Sequence, residues 1–370
     1  MGVQAIESKS HYQILDGLRG VAALMVILYH VFEGFATSPV DQHINHGYLA
    51  VDFFFILSGF VISYAYDDRW DRMGVGAFFK RRLIRLHPMV IAGAVLGAVT
   101  FLIQGSVQWD GTRVPFGPVM LAMLLGMCMI PASPGGLYEV RGNGEMFPLN
   151  GPNWSLFFEY IGNIVYAFVL RRLSTRWMKV LAVVLGAGLA AYAIGNVSGS
   201  GHLGVGWTLA DHGFAGGMLR MMFSYTMGMV VARTFRPRRI RGAFWICTAS
   251  LVLLLSIPHV GGTEHMWING IYDSLCIIVI FPTLLYIGAC GSCCHSSDRA
   301  CKFLGDLSYP LYMVHYPFYY LFYAWVWKNE VPFSRAWPVA VVLVIFCVLL
   351  ACAFMKFYDA PVRRRLSARV

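Results

Sequence analysis

Two residues stand where a hydrophobic run should hold none. The stretch LDGLRGVAALMVILYH, residues 15–30, carries Arg19 near its start and His30 at its end. They lie 30 − 19 = 11 positions apart. At about 100° per residue that spacing puts both on one helix face, separated along the axis by about 16 Å. One stripe therefore joins a cation at one membrane boundary to a titratable ring in the other half of the bilayer. An ionisable group inside a span is costly and is a functional-site hypothesis by default. Glu33 follows His30 at i+3, close enough on a helix to interact. A carboxylate there fixes the imidazole tautomer and stabilises the imidazolium, the logic of a general base and its orienter. The structural alternative is that Arg19 snorkels to headgroups and His30 only bonds a neighbouring helix.

Other polar residues interrupt apolar runs. Asp52 lies about one helical turn inside its span, and Glu159 sits roughly 9 Å below the outer end of another. Ser155 and Glu159 are i,i+4 and share a face. His315 is near the middle of a late span and is followed by Pro317, which favours a kink. The spacing predicts that His30, Glu33, Asp52, Ser155 and Glu159 line one cavity open to the outside, with His315 and Tyr309 at its floor. Polar contacts between helices, or a helix cap at Asn153 or Ser155, are the structural alternatives. Arg81, Arg82 and Arg85 form a basic group before the third span. Arg82 and Arg85 are i,i+3, and their forked donors suit phosphate. Any loop flanking a span also tends to be basic.

The elements that must carry these residues are membrane helices. Of the 370 residues 58% are hydrophobic and 13% charged, which excludes an ordinary soluble domain. Ten apolar runs read as spans: 17–37, 48–66, 86–105, 153–171, 177–196, 217–234, 243–258, 268–289, 306–327 and 337–357. The net charge of +10 comes from short basic clusters between those runs. That is the pattern of cytoplasmic loops, not of a nucleic-acid-binding surface. It keeps consistent sides only if an eleventh apolar run, 115–131, does not cross. The expectation is an all-α integral membrane protein of about ten transmembrane helices. The 115–131 segment is re-entrant or interfacial, and both termini are cytoplasmic. A tail over 1–14 and a basic tail over 359–370 then flank a single domain over 15–358. No cleavable signal peptide is apparent.

Five stretches, in order, resemble the acyltransferase 3 family of membrane O-acyltransferases. LDGLRGVAALMVILYH resembles its opening Arg, ten residues, then His. GYLAVDFFFILSGFVI (47–62) resembles its second span, with Ala50 in place of the usual Gly. FFKRRLIRLHP (78–88) resembles its Arg-x-x-Arg loop through Arg82 and Arg85. NWSLFFEY (153–160) resembles its Trp-Ser-Leu-x-x-Glu element, and LSYPLYMVHYP (307–317) its Ser-Tyr-x-x-Tyr-x-x-His-x-Pro element. The resemblance runs over residues 12–357.

It implies an enzyme that moves an acyl group, often acetyl, from cytoplasmic acyl-CoA to a hydroxyl of an extracytoplasmic glycan or lipid-linked saccharide. Small-molecule acceptors, antibiotics or lipids, are the variant. It implies a bacterial cytoplasmic membrane, acyl-CoA as a co-substrate and no permanently bound cofactor. His30, Glu33 and Glu159 would be catalytic. Arg19, Arg82 and Arg85 would hold acyl-CoA. Asp52, Trp154, Ser155, Tyr309 and His315 would contact substrate, with Trp154, Tyr309 and backbone N–H groups as candidate oxyanion donors. A proton-coupled transporter is the competing class, since it too buries His, Glu and Asp in spans. The absence of an internal repeat counts against it. CGSCCHSSDRAC (290–301) offers Cys and His without a paired second knuckle, so no metal site is expected. The acceptor, the acyl length and the oligomeric state are not legible.

Overall fold

The computed structural model describes residues 11–36, 42–199, 201–236, 238–291 and 295–368. Fourteen α-helices carry the described chain, and its β contacts are isolated bridges only. In order they are α1 Gln13–Glu33, α2 Ala50–Tyr66, α3 Val75–Ile103, α4 Phe116–Met127, α5 Asn153–Phe168, α6 Thr175–Ile194, α7 Gly213–Thr234 and α8 Ala243–Ser256. Then come α9 Trp267–Leu275, α10 Phe281–Cys290, α11 His295–Val314, α12 Tyr316–Lys328, α13 Phe333–Phe354 and α14 Ala360–Ser367. A short π segment joins α9 to α10, and another joins α13 to α14. Each run expected to span is helical. Among the described residues six helical stretches are long and apolar enough to cross a membrane: Gln13–Glu33, Gly47–Tyr66, Val75–Ile103, Thr175–Ile194, Trp267–Cys290 and Phe333–Ser367.

The eleventh apolar run is the short helix α4. Its 12 residues rise about 18 Å, well short of a hydrocarbon core of about 30 Å. Pro115 precedes it, and it packs on α3 through Val119 and Ala122 beside Ala98 and Phe101. The late span breaks at His315, where α12 starts anew with Pro317 in its first turn. Residues 360–367, expected as part of a tail, are the helix α14. In the Cys-rich stretch, Cys293 and Cys294 lie outside the described residues, while Cys290 and Cys301 are buried.

Two close approaches set the bundle's inner geometry. A Cβ on Gly59 of α2 would stand 2.0 Å from the Tyr225 carbonyl oxygen of α7, and one on Gly228 of α7 would stand 2.1 Å from that of Ile56. Only glycine lets these two backbones touch. Across the same interface Arg220 meets Asp52, and both side chains are fully buried. Arg220 Nε and Nη2 donate to the carboxylate at 3.0 and 2.6 Å. Nη2 also donates to the Tyr48 carbonyl at 2.9 Å, and Nη1 to that of Val205 at 2.7 Å. One guanidinium therefore ties α7 to α2, to the turn before α2 and to the loop before α7. Its planar fork is suited to this, where a lysine ammonium is not.

A second buried polar cluster fastens the loops at that end. Tyr48 donates to Asp273 at 2.9 Å, and the Leu203 amide donates to the same oxygen at 2.7 Å. His46 Nδ1 donates to the Ile257 carbonyl at 2.6 Å, and His259 Nε2 lies 3.1 Å from the Tyr48 hydroxyl. His202 completes the cluster, 5.4 Å ring to ring from His259. Burial pushes the imidazoles of His46 and His202 down to about 4 and that of His259 to about 3. Among the described residues no group of His, Cys, Asp and Glu is placed to hold a metal ion.

Removing one partner of the buried pair leaves the other charge without compensation, a loss of about 3–5 kcal/mol. Arg220→Met is accordingly expected to lower the melting temperature in detergent sharply, and Asp52→Leu combined with Arg220→Met to recover part of it. A double variant no more stable than Arg220→Met would show that the charge pairing is not what holds α2 to α7. The histidine cluster sets an acid limit. Above the ordinary imidazole pKa of about 6.5 these rings are neutral in both the folded and the unfolded chain. As pH falls from there toward 4 the unfolded chain takes up protons that the folded chain refuses, so stability declines. Amide hydrogen exchange over residues 201–206 should speed up across that window, and His259→Gln should flatten the response.

Candidate active site

Polar residues from eight helices converge on two compartments, not one. The first has a volume of about 240 Å³ and is lined by His30, Glu33, Tyr48, Trp154 and Arg220, with the tyrosines of α12. The second, about 260 Å³, is lined by Arg19, Arg82, Arg85, Glu159, Ser308, Tyr309 and Arg363. Val51 and Tyr312 line both.

The first compartment holds the expected base. Glu33 Oε2 lies 2.6 Å from His30 Nδ1. A carboxylate only accepts, so Nδ1 carries the proton and Nε2 is the basic nitrogen left for the cavity. Tyr323 anchors the pair from α12, donating to the His30 carbonyl at 2.6 Å and to Glu33 Oε2 at 3.1 Å. The Tyr316 ring meets the imidazole edge-on at 4.6 Å between centroids. The helix α1 places His30 and Glu33 on one face, and the aromatic run of α12 supplies the wall that stops the imidazole turning.

Glu145 enters the same wall from the loop between α4 and α5. The Tyr320 hydroxyl and Asn143 Nδ2 donate to it, the latter at 2.9 Å. Burial pushes its carboxyl up to about 7. Arg141 stacks on the Tyr320 ring with its guanidinium carbon 3.4 Å from the centroid. An open groove of about 610 Å³ adjoins this compartment through Asn143 and Trp207.

The second compartment is built around arginines. Gly20 of α1 sits against the Leu304 carbonyl of α11, where a Cβ would stand 2.5 Å from the oxygen. That contact brings Arg19 to α11, where Nε donates to Ser308 at 2.8 Å and Nη2 to the Gly305 carbonyl at 2.8 Å. Arg82 pairs with Glu159 at 2.7 Å, and Ser58 donates to the same oxygen at 2.6 Å. Arg82 Nε is buried with no partner. No ion pair or hydrogen bond engages the Arg85 side chain among the described residues, although it faces the cavity. Four arginines meet four acidic side chains here, Asp16, Glu159, Asp306 and Asp359. The site's capacity for an anion therefore rests on these unspent donors rather than on an excess of charge.

This placement corrects the single-cavity expectation. His30 and Glu33 share the first compartment, and Trp154 lines it with them. Ser155, Glu159 and Tyr309 line the second instead. Glu159 is held by Arg82 and does not meet His30, and Tyr309 donates to the Leu86 carbonyl at 2.5 Å. Asp52 lines neither cavity, because Arg220 occupies its carboxylate. His315 is fully buried at the α11–α12 break. It lies behind His30 at 5.5 Å between ring centroids, with Nδ1 on the Leu311 carbonyl and Nε2 unpartnered. Sequence reasoning missed Arg220, Tyr323, Glu145 and Arg363, and it took in Tyr312 only as the second tyrosine of the late element, with no role of its own. Arg220 carries the signal that exposed His30, a charged residue inside an apolar run. Arg363 reaches its cavity by the π segment before α14, which no spacing rule reveals.

Residues 12–356 match the acyltransferase 3 family, described as an acyltransferase domain. Protein 2 in the picA locus of Rhizobium radiobacter is 34% identical over 162 residues, covering 42% of this chain and 80% of that protein. O-acetyltransferase OatA of Staphylococcus aureus is 23% identical over 388 residues, covering 95% of this chain. The chain spans 57% of the length of that relative. Acyltransferase MdmB of Streptomyces mycarofaciens is 24% identical over 362 residues, covering 92% of this chain and 87% of that protein. No solved structure matches the chain significantly. The family match takes in α1 to α13, and with them His30, Glu33 and the arginines at 19, 82 and 85. On this ground the chain belongs to the acyltransferase 3 family.

Proposed function

We propose that the protein carries an acyl group through the membrane, from acyl-CoA in the arginine compartment to a hydroxyl in the histidine compartment. The observation that carries this reading is that the two cavities meet at Val51 and Tyr312. A donor in one and an acceptor in the other would bring thioester and hydroxyl together there. The relative named O-acetyltransferase favours acetyl as the group moved. The basic loops favour an arginine compartment facing the cytoplasm, with both termini on that side and ten crossings of a plasma membrane.

Each residue then has a physical task. Arg82 and Arg85, with Arg19, bind the phosphates and arm of CoA through donors that the fold leaves free. His30 Nε2 takes the proton of the acceptor hydroxyl as its oxygen attacks the thioester carbonyl. Glu33 holds the imidazole and stabilises the cation that forms. The carbon–sulfur bond breaks, the thiolate accepts the proton from the imidazolium, and CoA leaves toward the cytoplasm. The acceptor enters through the open groove, whose walls of Gln108, Asn143, Thr208 and Trp207 suit a polyhydroxylated chain such as a glycan or lipid-linked saccharide.

Loss of a general base costs about 10²–10⁴-fold in rate. His30→Ala should therefore abolish acyl transfer in membranes supplied with acetyl-CoA, while acetyl-CoA still binds. Unchanged transfer by an equally abundant His30→Ala protein would remove the base and this reading with it. Arg85→Ala should raise KM for acyl-CoA by about tenfold, the equivalent of one charge-assisted hydrogen bond, with kcat little changed. Arg85→Lys should recover part of that loss, and an unaltered KM in Arg85→Ala would place the CoA phosphates elsewhere.

A further inference from the structure

Tyr312 occupies the one place where a barrier between the compartments has to be. Its ring belongs to both cavity walls, and its hydroxyl lies 2.7 Å from Ser155 Oγ of α5. The Pro152 carbonyl sits behind them, accepting from Ser155 at 3.0 Å and lying 3.4 Å from the Tyr312 oxygen. Phe54 of α2 braces the ring edge-on at 5.5 Å, and the His315 ring lies 5.9 Å away on the other side. The phenol is thus fixed by packing from α2 and α11, while its hydroxyl is held by the Ser155 hydroxyl of α5 at 2.7 Å and by a longer bond to the Pro152 carbonyl at 3.4 Å. A serine hydroxyl can rotate away without any backbone movement. A carbonyl oxygen arriving at the seam could take its place as the acceptor of the Tyr312 proton.

We propose that Tyr312 is both the partition between donor and acceptor compartments and the hydrogen-bond donor to the thioester carbonyl during transfer. This rests on the acyl-transfer reading above. With no acyl-CoA bound, the Tyr312–Ser155 contact closes the path and keeps water from the outer compartment off the inner one. With acyl-CoA bound, the acyl carbon sits at the seam and its oxygen receives the phenol hydrogen bond. Attack by the acceptor oxygen moves charge onto that carbonyl oxygen, and a donor already aimed there stabilises it without reorganising. The acceptor proton goes to His30 Nε2 and then to the leaving sulfur, so Tyr312 ends the cycle as it began. Two functions meet in one side chain, because the position that must exclude water is also where the carbonyl must stop.

The two functions separate by substitution. Tyr312→Phe keeps the ring and removes the hydroxyl. Tyr312→Ala removes both. Membranes from expressing cells are given acetyl-CoA, with free CoA and acyl gain on their own envelope glycans followed together. Detergent-extracted protein is then assayed for acetyl-CoA hydrolysis with no acceptor. Tyr312→Phe is expected to lose about a hundredfold in kcat, with KM for acetyl-CoA unchanged and no hydrolysis. Tyr312→Ala is expected to hydrolyse acetyl-CoA several-fold faster than wild type, because water reaches the thioester. Both variants should elute as monodisperse protein. Wild-type transfer with Tyr312→Phe equally active and Tyr312→Ala no leakier overturns the proposal while leaving the parent reading intact. A raised KM in Tyr312→Phe with kcat unchanged also overturns it, since the phenol would then only bind donor. A wild type that neither transfers nor releases CoA removes the parent reading first, and the partition with it.

Discussion

The buried Arg220–Asp52 pair is the contact on which the rest of the architecture depends. It sits where α2 and α7 touch through glycine, and it reaches from there to the Tyr48 and Val205 carbonyls. Asp52 is the neighbour of Val51, one of the two residues shared by both cavities. The clamp therefore holds one side of the seam in register with α5 and α11 on the other. A buried ion pair is rarely a source of net stability, because desolvation offsets the attraction. Its value here is positional, since a guanidinium with four satisfied contacts admits one arrangement of the elements around it.

In the proposed reaction, that arrangement would serve a demand peculiar to chemistry across a bilayer. A phosphate-bearing donor needs cations and water, whereas a thioester under attack needs water kept away. Two separate cavities would let both requirements be met in the proposed reaction. The glycine contact of α1 with α11 seats Arg19 among polar partners in one of them. The aromatic face of α12 holds the His30–Glu33 pair in the other. The eleven-residue spacing on α1 links them, because a single rigid helix fixes the depth of both groups at once.

Much of this was legible from residue types and spacing. The helical runs follow from hydropathy, six helical stretches among the described residues are long and apolar enough to cross a membrane, and the bracketed run at 115–131 forms the 12-residue helix α4. The pairing of His30 with Glu33 follows from i,i+3 geometry on α1, and the late break follows from Pro317. The division into two cavities did not follow. Ser155 and Glu159 lie one turn apart on α5, and depth along a helix does not say on which side of a partition a side chain falls. That depends on what packs against α5, and there Tyr312 arrives from a helix more than 150 residues away in sequence. Asp52 was misplaced for a related reason. Its role depends on Arg220, and an intramembrane carboxylate looks the same in sequence whether it faces a cavity or a buried guanidinium.

Donor and acceptor occupy opposite faces of one protein in the proposed reaction, and sidedness tests this most directly. Sealed membrane vesicles of both orientations would be prepared from expressing cells and given acetyl-CoA labelled in the acetyl group, which does not cross the bilayer. Inside-out vesicles, which present the cytoplasmic face, are expected to transfer label to luminal glycan and to release CoA into the medium. Right-side-out vesicles are expected to stay unlabelled until they are opened with detergent. Equal labelling in both orientations, or labelling only from the outer face, would contradict a path from the arginine compartment to His30.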